Sequence, residues 1–141
     1  MAESSVRLYR AAALWWLLLF ALAIVNGVAR EAILSPLFGP AISLPLSGLT
    51  AIALFGVATR VFVARRPIMT VPQAWGVGLL WLTMTLASEY ALFAGLMGRP
   101  ASEVTASFSR EAFLGGNLMI LVLAFVAAAP RLFTALRSRG R

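Results

Sequence analysis

Four long apolar runs constrain this chain more than any other feature. They lie at about residues 11–29, 46–64, 74–96 and 116–136 of a 141-residue sequence. A helix needs roughly 20 mostly apolar residues to cross about 30 Å of hydrocarbon. In lipid, every backbone N–H and C=O must also be satisfied within the segment. Each run is long enough to do both. The pattern predicts an all-α integral membrane four-helix bundle, a single membrane domain over residues 1–141. Charged residues make up only 12% of the chain and hydrophobic ones 61%, where a soluble domain carries about a quarter charged. Pro130 falls late in the fourth run and is expected to kink or fray it.

The charges decide the orientation. All twelve basic residues are arginine and all five acidic ones glutamate. Arg7, Arg10, Arg60, Arg65, Arg66, Arg131, Arg137, Arg139 and Arg141 flank one side of the four runs; Arg30, Arg99 and Arg110 lie on the other, beside Glu31, Glu103 and Glu111. The side richer in arginine is retained in the cytoplasm. Both termini and the middle loop are therefore expected there, in a multi-pass protein of the inner (plasma) membrane. Arg7 and Arg10, followed by an apolar run and Gly27-Val28-Ala29, have a second reading as a secretory signal with a small-residue cleavage site. The length of the run and Trp15 and Trp16 near its start favour an uncleaved anchor.

The net charge of +7 does not point to nucleic acid, because the arginines sit at the ends of apolar runs instead of forming one basic face. The expected partner is the lipid bilayer. Arg137, Arg139 and Arg141 are expected to attract anionic lipid at the cytoplasmic face, at about 1 kcal/mol per residue near the surface. Trp15, Trp16 and Trp75 fall where interfacial aromatic belts form, and Trp81 lies deeper. Small residues repeat every four positions at Ala87, Ala91 and Gly95, and again at Ala23 and Gly27. Such stripes let helices approach closely. They suit packing within one chain, with the third span central, and equally a homodimer or a larger membrane complex.

Chemistry is bounded by what is missing. The chain has no Lys, Asp, His or Cys. Zinc sites of the usual kinds, haem or iron–sulfur ligation, thiol nucleophiles and Ser-His-Asp relays all need residues it lacks. No metal, cofactor or catalytic residue is expected.

The connections on the less basic side carry more than linkers. Residues 35–40, Ser-Pro-Leu-Phe-Gly-Pro, read as a turn-rich apolar segment. Ser102 followed by Glu103 reads as an N-cap opening a short amphipathic helix, with Phe108 and Phe113 as surface anchors.

An ionisable residue within a span is costly, at least about 2.5 kcal/mol at the centre. Glu89 is the clearest case, roughly two turns inside the outer end of the third run. Arg30, at the outer end of the first, is its expected partner. Asn26 precedes Arg30 by one turn, Thr85 precedes Glu89 by one turn, and Asn117 opens the fourth run on the same side. The expectation is one polar cluster in the outer third: Asn26, Arg30, Glu31, Glu89 and Asn117, with Ser47 or Thr85 nearby and the inner half dry. A buried pair of this kind pins helices in register without a ligand, and it also suits a ligand or ion site.

The run Asn26-Gly27-Val28-Ala29-Arg30-Glu31, with Leu46-Ser47-Gly48, Trp81-Leu82-Thr83 and Glu89, resembles a pattern of small four-span bacterial membrane proteins of no assigned activity. The similarity covers most of the chain. It implies the four-span topology and the Asn26, Arg30, Glu31 and Glu89 cluster. The pattern often carries Gly-His after the third-span glutamate, where this chain has Phe93-Ala94-Gly95, so no metal or proton role for a histidine transfers.

Three functions follow from these residues. The first is a non-enzymatic accessory, scaffold or assembly subunit, suggested by the scant soluble portion and the missing catalytic types. The second is a small transporter, or a binder of lipid or another hydrophobic molecule, using the outer polar cluster. The weakest is an enzyme with Glu89 as general acid or base, since one carboxyl without a nucleophile makes no catalytic set.

Overall fold

The computed structural model describes residues 4–140, and among these residues there is helix and turn but no strand. Four helices are long and apolar enough to cross a membrane. The first span is helix α1 (Ser5–Ala29), which widens into a π-helical stretch (Arg30–Leu34) and closes with the short helix α2 (Ser35–Phe38). Helix α3 (Pro40–Ala64) is the second span. The third is α4 (Val71–Tyr90), extended by a second π-helical stretch (Ala91–Leu96). Two surface helices, α5 (Ala101–Ala106) and α6 (Arg110–Leu114), precede the fourth span, α7 (Met119–Arg139).

These helices outrun the apolar stretches because prolines and caps, more than hydropathy, set their ends. Pro40 occupies the first turn of α3, where a missing N–H costs nothing, and α3 continues through Pro45. Gly39 makes the reversal before it at φ +76°, a conformation that favours glycine. Thr70 and Gln73 form a reciprocal capping box at the start of α4. Helix α7 passes through Pro130 and runs on to Arg139 with no fraying. Ser102 lies inside α5, whose N-cap position is Pro100; the serine that does cap a helix here is Ser109, accepting from the Ala112 N–H at 3.1 Å.

In the bundle α1 packs on α3 and α4, and α7 packs on the other sides of both. The tightest approach is α4 against α7 at Gly78, where a Cβ would fall 1.9 Å from the Ala127 carbonyl oxygen. The small stripes do not make this contact. A Cβ added at Gly27 or Gly95 would meet nothing within 4 Å, and Ala87 and Ala91 are exposed. The third span does touch neighbours on two sides, but through Gly78 and Trp81. Close packing requires a small residue facing a backbone, and spacing alone does not say which face that is.

The core fills the half nearer the chain termini: Leu8, Ala12, Phe55, Phe62, Val77 and Trp81 are all buried. Tryptophans bolt this half together. The Trp81 indole, 0% exposed, donates to the Ala12 carbonyl at 2.8 Å. Trp15 donates to the Ala58 carbonyl at 3.2 Å and Trp16 to the Thr85 hydroxyl at 3.0 Å. Trp15 and Trp16 thus face the bundle, and of the four only Trp75, 43% exposed, has the exposure of a belt residue. A buried indole N–H needs an acceptor, and carbonyls and hydroxyls on neighbouring helices supply one to each. Leu14, Val25, Val57 and Leu79 turn outward, as lipid-facing side chains do.

Arg137 is also committed inside the protein. Its guanidinium donates to the carbonyls of Val63 and Arg66. The Val63 carbonyl is in the last turn of α3, where it also accepts from the Arg66 N–H, and the Arg66 carbonyl lies two residues past the helix end. Arg137 therefore braces α3 to α7, unlike the exposed Arg139; Arg141 lies outside the described residues.

Candidate functional site

Past the layer of Trp16, Phe55 and Trp81 the packing opens. A cavity of about 870 Å³ lies in the half away from the termini, lined by all four spans and by α5. On the first span its lining extends from Trp16 on α1 to Ala32 in the π-helical stretch, roughly 24 Å at α-helical rise. All six residues of the expected cluster line it: Asn26, Arg30, Glu31, Thr85, Glu89 and Asn117. Ser47 does so as well.

The deep end is apolar and aromatic, with Trp16, Leu19, Phe20, Phe55 and Val126. Trp16 and Phe20 stack with ring centroids 5.1 Å apart. Toward the end away from the chain termini, beneath α5, the walls become polar. The Asn26 side-chain amide donates to the carbonyl and the hydroxyl of Ser47, both at 3.0 Å, tying α1 to α3. Thr85 receives the Trp16 indole, and Ser88 donates to the Thr85 carbonyl at 2.8 Å. Asn117 caps the start of α7 by accepting from the Met119 N–H at 3.0 Å. Asn26, Thr85 and Asn117 therefore have structural partners and still face the cavity.

The ion pairing differs from the expectation. Arg30 holds Glu31, its neighbour in sequence, at 2.8 Å from Nη2 and 3.0 Å from Nε. Among the described residues no ion pair joins Arg30 to Glu89. The reason is solvation. Glu31 is 69% exposed, so pairing there strips little water, while meeting Glu89 within the span would desolvate both charges. Glu89 is half-buried, and among the described residues its carboxyl has neither hydrogen bond nor ion pair.

Both π-helical stretches border this cavity. Arg30 and Glu31 open the first, and the second begins two residues after Glu89 and contributes Leu92 and Phe93. Insertions of this kind recur at functional sites, where the extra residue per turn re-aims side chains. The first also gives room ahead of Pro36, whose ring would press on the Ala32 carbonyl in a regular helix. No sequence signal marked either stretch.

Sequence reasoning also missed the roof. Arg99, Glu103, Val104 and Ser107 line the cavity from α5 and its approach. Val104 is buried, and Thr105 meets the Tyr90 hydroxyl at 2.9 Å, fastening α5 over the end of α4. Arg99 lies 3.9 Å from Glu103, one turn on. Val104, the one large apolar side chain in Ala101–Ala106, was the available signal.

Comparison with family models, with curated proteins and with solved structures finds no match to this chain. Its function has to be read from the cavity.

Proposed function

We propose that this is a non-enzymatic, multi-pass protein of the bacterial inner membrane that binds a small hydrophobic or amphipathic molecule in the cavity and presents or carries it. One observation supports this above the others: a space of about 870 Å³ with an aromatic floor and a polar end beneath α5. Ligand sites are concave, mostly apolar, a few hundred to about 1,000 Å³, and carry a few placed polar groups. A scaffold or assembly subunit, the first expectation from composition, has no need to keep such a space open between its spans. With the arginine-rich side cytoplasmic, the polar end of the cavity lies toward the outer face. A carrier of this size would complete its path by pairing with a second copy.

Native mass spectrometry of protein gently extracted from its own membrane tests the reading. The expected result is a retained small molecule on the wild type, absent from Gly27→Phe, since Gly27 lines the cavity and its side-chain direction is open. A bare chain in both, or a mass equally retained by Gly27→Phe, counts against it. A stoichiometric second protein in place of a small molecule would restore the subunit reading.

A further inference from the structure

The cavity has a sign. Its two arginines are answered locally: Arg30 by Glu31 at 2.8 Å and Arg99 by Glu103 at 3.9 Å. Glu89 is left over. It is the one charge lining the cavity that lacks an opposite partner among the described residues. It lies inside a span, where a carboxylate without a counter-ion is expensive. Around it are the hydroxyls of Thr85 and Ser88 and the ring of Phe93, and below them Trp16, Phe20 and Phe55.

This arrangement discriminates among ligands. A bare magnesium or calcium ion takes six or more oxygens, and one carboxyl with two already engaged hydroxyls falls short. An anion would meet an uncompensated carboxylate and two arginines already taken. A neutral apolar molecule fits the floor but leaves Glu89 unanswered. An organic cation with an apolar body satisfies both ends: its charge pairs Glu89, and its body lies against aromatic faces, which attract cations in their own right.

We infer that the cavity takes a lipophilic organic cation, an amine or a quaternary onium, with Glu89 as its counter-ion and the Trp16, Phe20 and Phe55 rings receiving its apolar part. This rests on the reading of the cavity as a binding site, and adds the charge class of the ligand.

Tetraphenylphosphonium and tetraphenylborate make the test, because they share a shape and differ in sign. The full-length protein in detergent is titrated in separate experiments with labelled tetraphenylphosphonium and with labelled tetraphenylborate. Saturable binding of tetraphenylphosphonium is expected, weakened at least tenfold by Glu89→Gln, held within a few fold by Glu89→Asp and abolished by Gly27→Phe, with tetraphenylborate bound at least tenfold more weakly. Each variant is first shown to be monodisperse with wild-type tryptophan emission. If tetraphenylborate binds as tightly as tetraphenylphosphonium, or Glu89→Gln binds as well as wild type, the charge assignment is overturned while the binding cavity stands. If tetraphenylphosphonium does not bind although a native ligand is retained in mass spectrometry, the assignment falls alone. If neither binds, both readings fall together.

Discussion

Asn26 on α1 reaches across to Ser47 on α3 and donates to both its carbonyl and its hydroxyl at 3.0 Å. This clasp holds the first two spans together beside a cavity that would otherwise spread them. It shows how one set of polar residues both builds the wall and faces the space within. Arg30 and Glu31, one turn further on, complete that rim as a pair, and Glu89 stays apart from them.

The separation of Arg30 from Glu89 has a thermodynamic signature. In double-mutant cycles on the detergent-solubilised protein, Arg30→Gln and Glu89→Gln should be additive within about 0.5 kcal/mol. Arg30→Gln and Glu31→Gln should show a small coupling, under about 1 kcal/mol, as expected for an ion pair near the surface. A coupling above about 1.5 kcal/mol between Arg30 and Glu89 would mean that they pair in the membrane after all.

Gly78 is the position where α4 and α7 meet backbone to backbone. Gly78→Ala should destabilise by at least about 2 kcal/mol, because its Cβ would land on a carbonyl that cannot swing aside. Gly27→Ala, facing open space, should be neutral or gain up to about 1 kcal/mol from helix propensity. Thermal unfolding followed by circular dichroism separates the two; equal effects would show that the helices cross elsewhere.

Arg137 and Arg139 lie two residues apart and should behave differently. Arg137→Gln removes two charged hydrogen bonds, to the Val63 carbonyl in the last turn of α3 and to the Arg66 carbonyl just past it, and should cost about 1.5–3 kcal/mol, as for hydrogen bonds from a charged donor. Arg139→Gln, on an exposed residue, should stay within about 0.5 kcal/mol. Midpoints of denaturant unfolding measure both, and a loss for Arg139 as large as that for Arg137 would contradict the bracing role.

Much of this was legible beforehand. Four apolar runs of bilayer length leave one architecture, and the polar residues within or at the ends of those runs had to collect somewhere, since each is costly facing lipid. Asn26, Arg30, Glu31, Thr85, Glu89 and Asn117 all line the cavity, though Asn26, Arg30, Thr85 and Asn117 each bond to a partner outside the other five or next in sequence and do not meet as one cluster. Pairing and packing were not legible. Whether Arg30 turns to Glu31 or to Glu89 depends on desolvation along two trajectories, which residue spacing does not encode. Trp15 and Trp16 had the sequence position of a belt, and only the carbonyl of Ala58 and the hydroxyl of Thr85 on facing helices explain why they turn inward. The small stripe at Ala87, Ala91 and Gly95 had the right period on the wrong face, while Gly78, two helical turns or more before it, carries the contact. The π-helical stretches depend on one extra residue per turn near a proline or a helix end, and no residue type announces them.

The central claim is that Asn26, Ser47, Thr85, Ser88, Glu89 and Asn117 line one open cavity on the side away from the chain termini. The native chain has no cysteine, so single cysteines report on it without background. A membrane-impermeant methanethiosulfonate should label Gly27→Cys and Ser88→Cys from the outer face of intact cells, and should leave Leu79→Cys unlabelled, because Gly27 and Ser88 line the cavity while Leu79 is exposed outside it. Labelling of Gly27→Cys and Ser88→Cys no faster than Leu79→Cys, in intact cells and inverted vesicles alike, would mean that the spans close on one another and that no such cavity exists in the membrane.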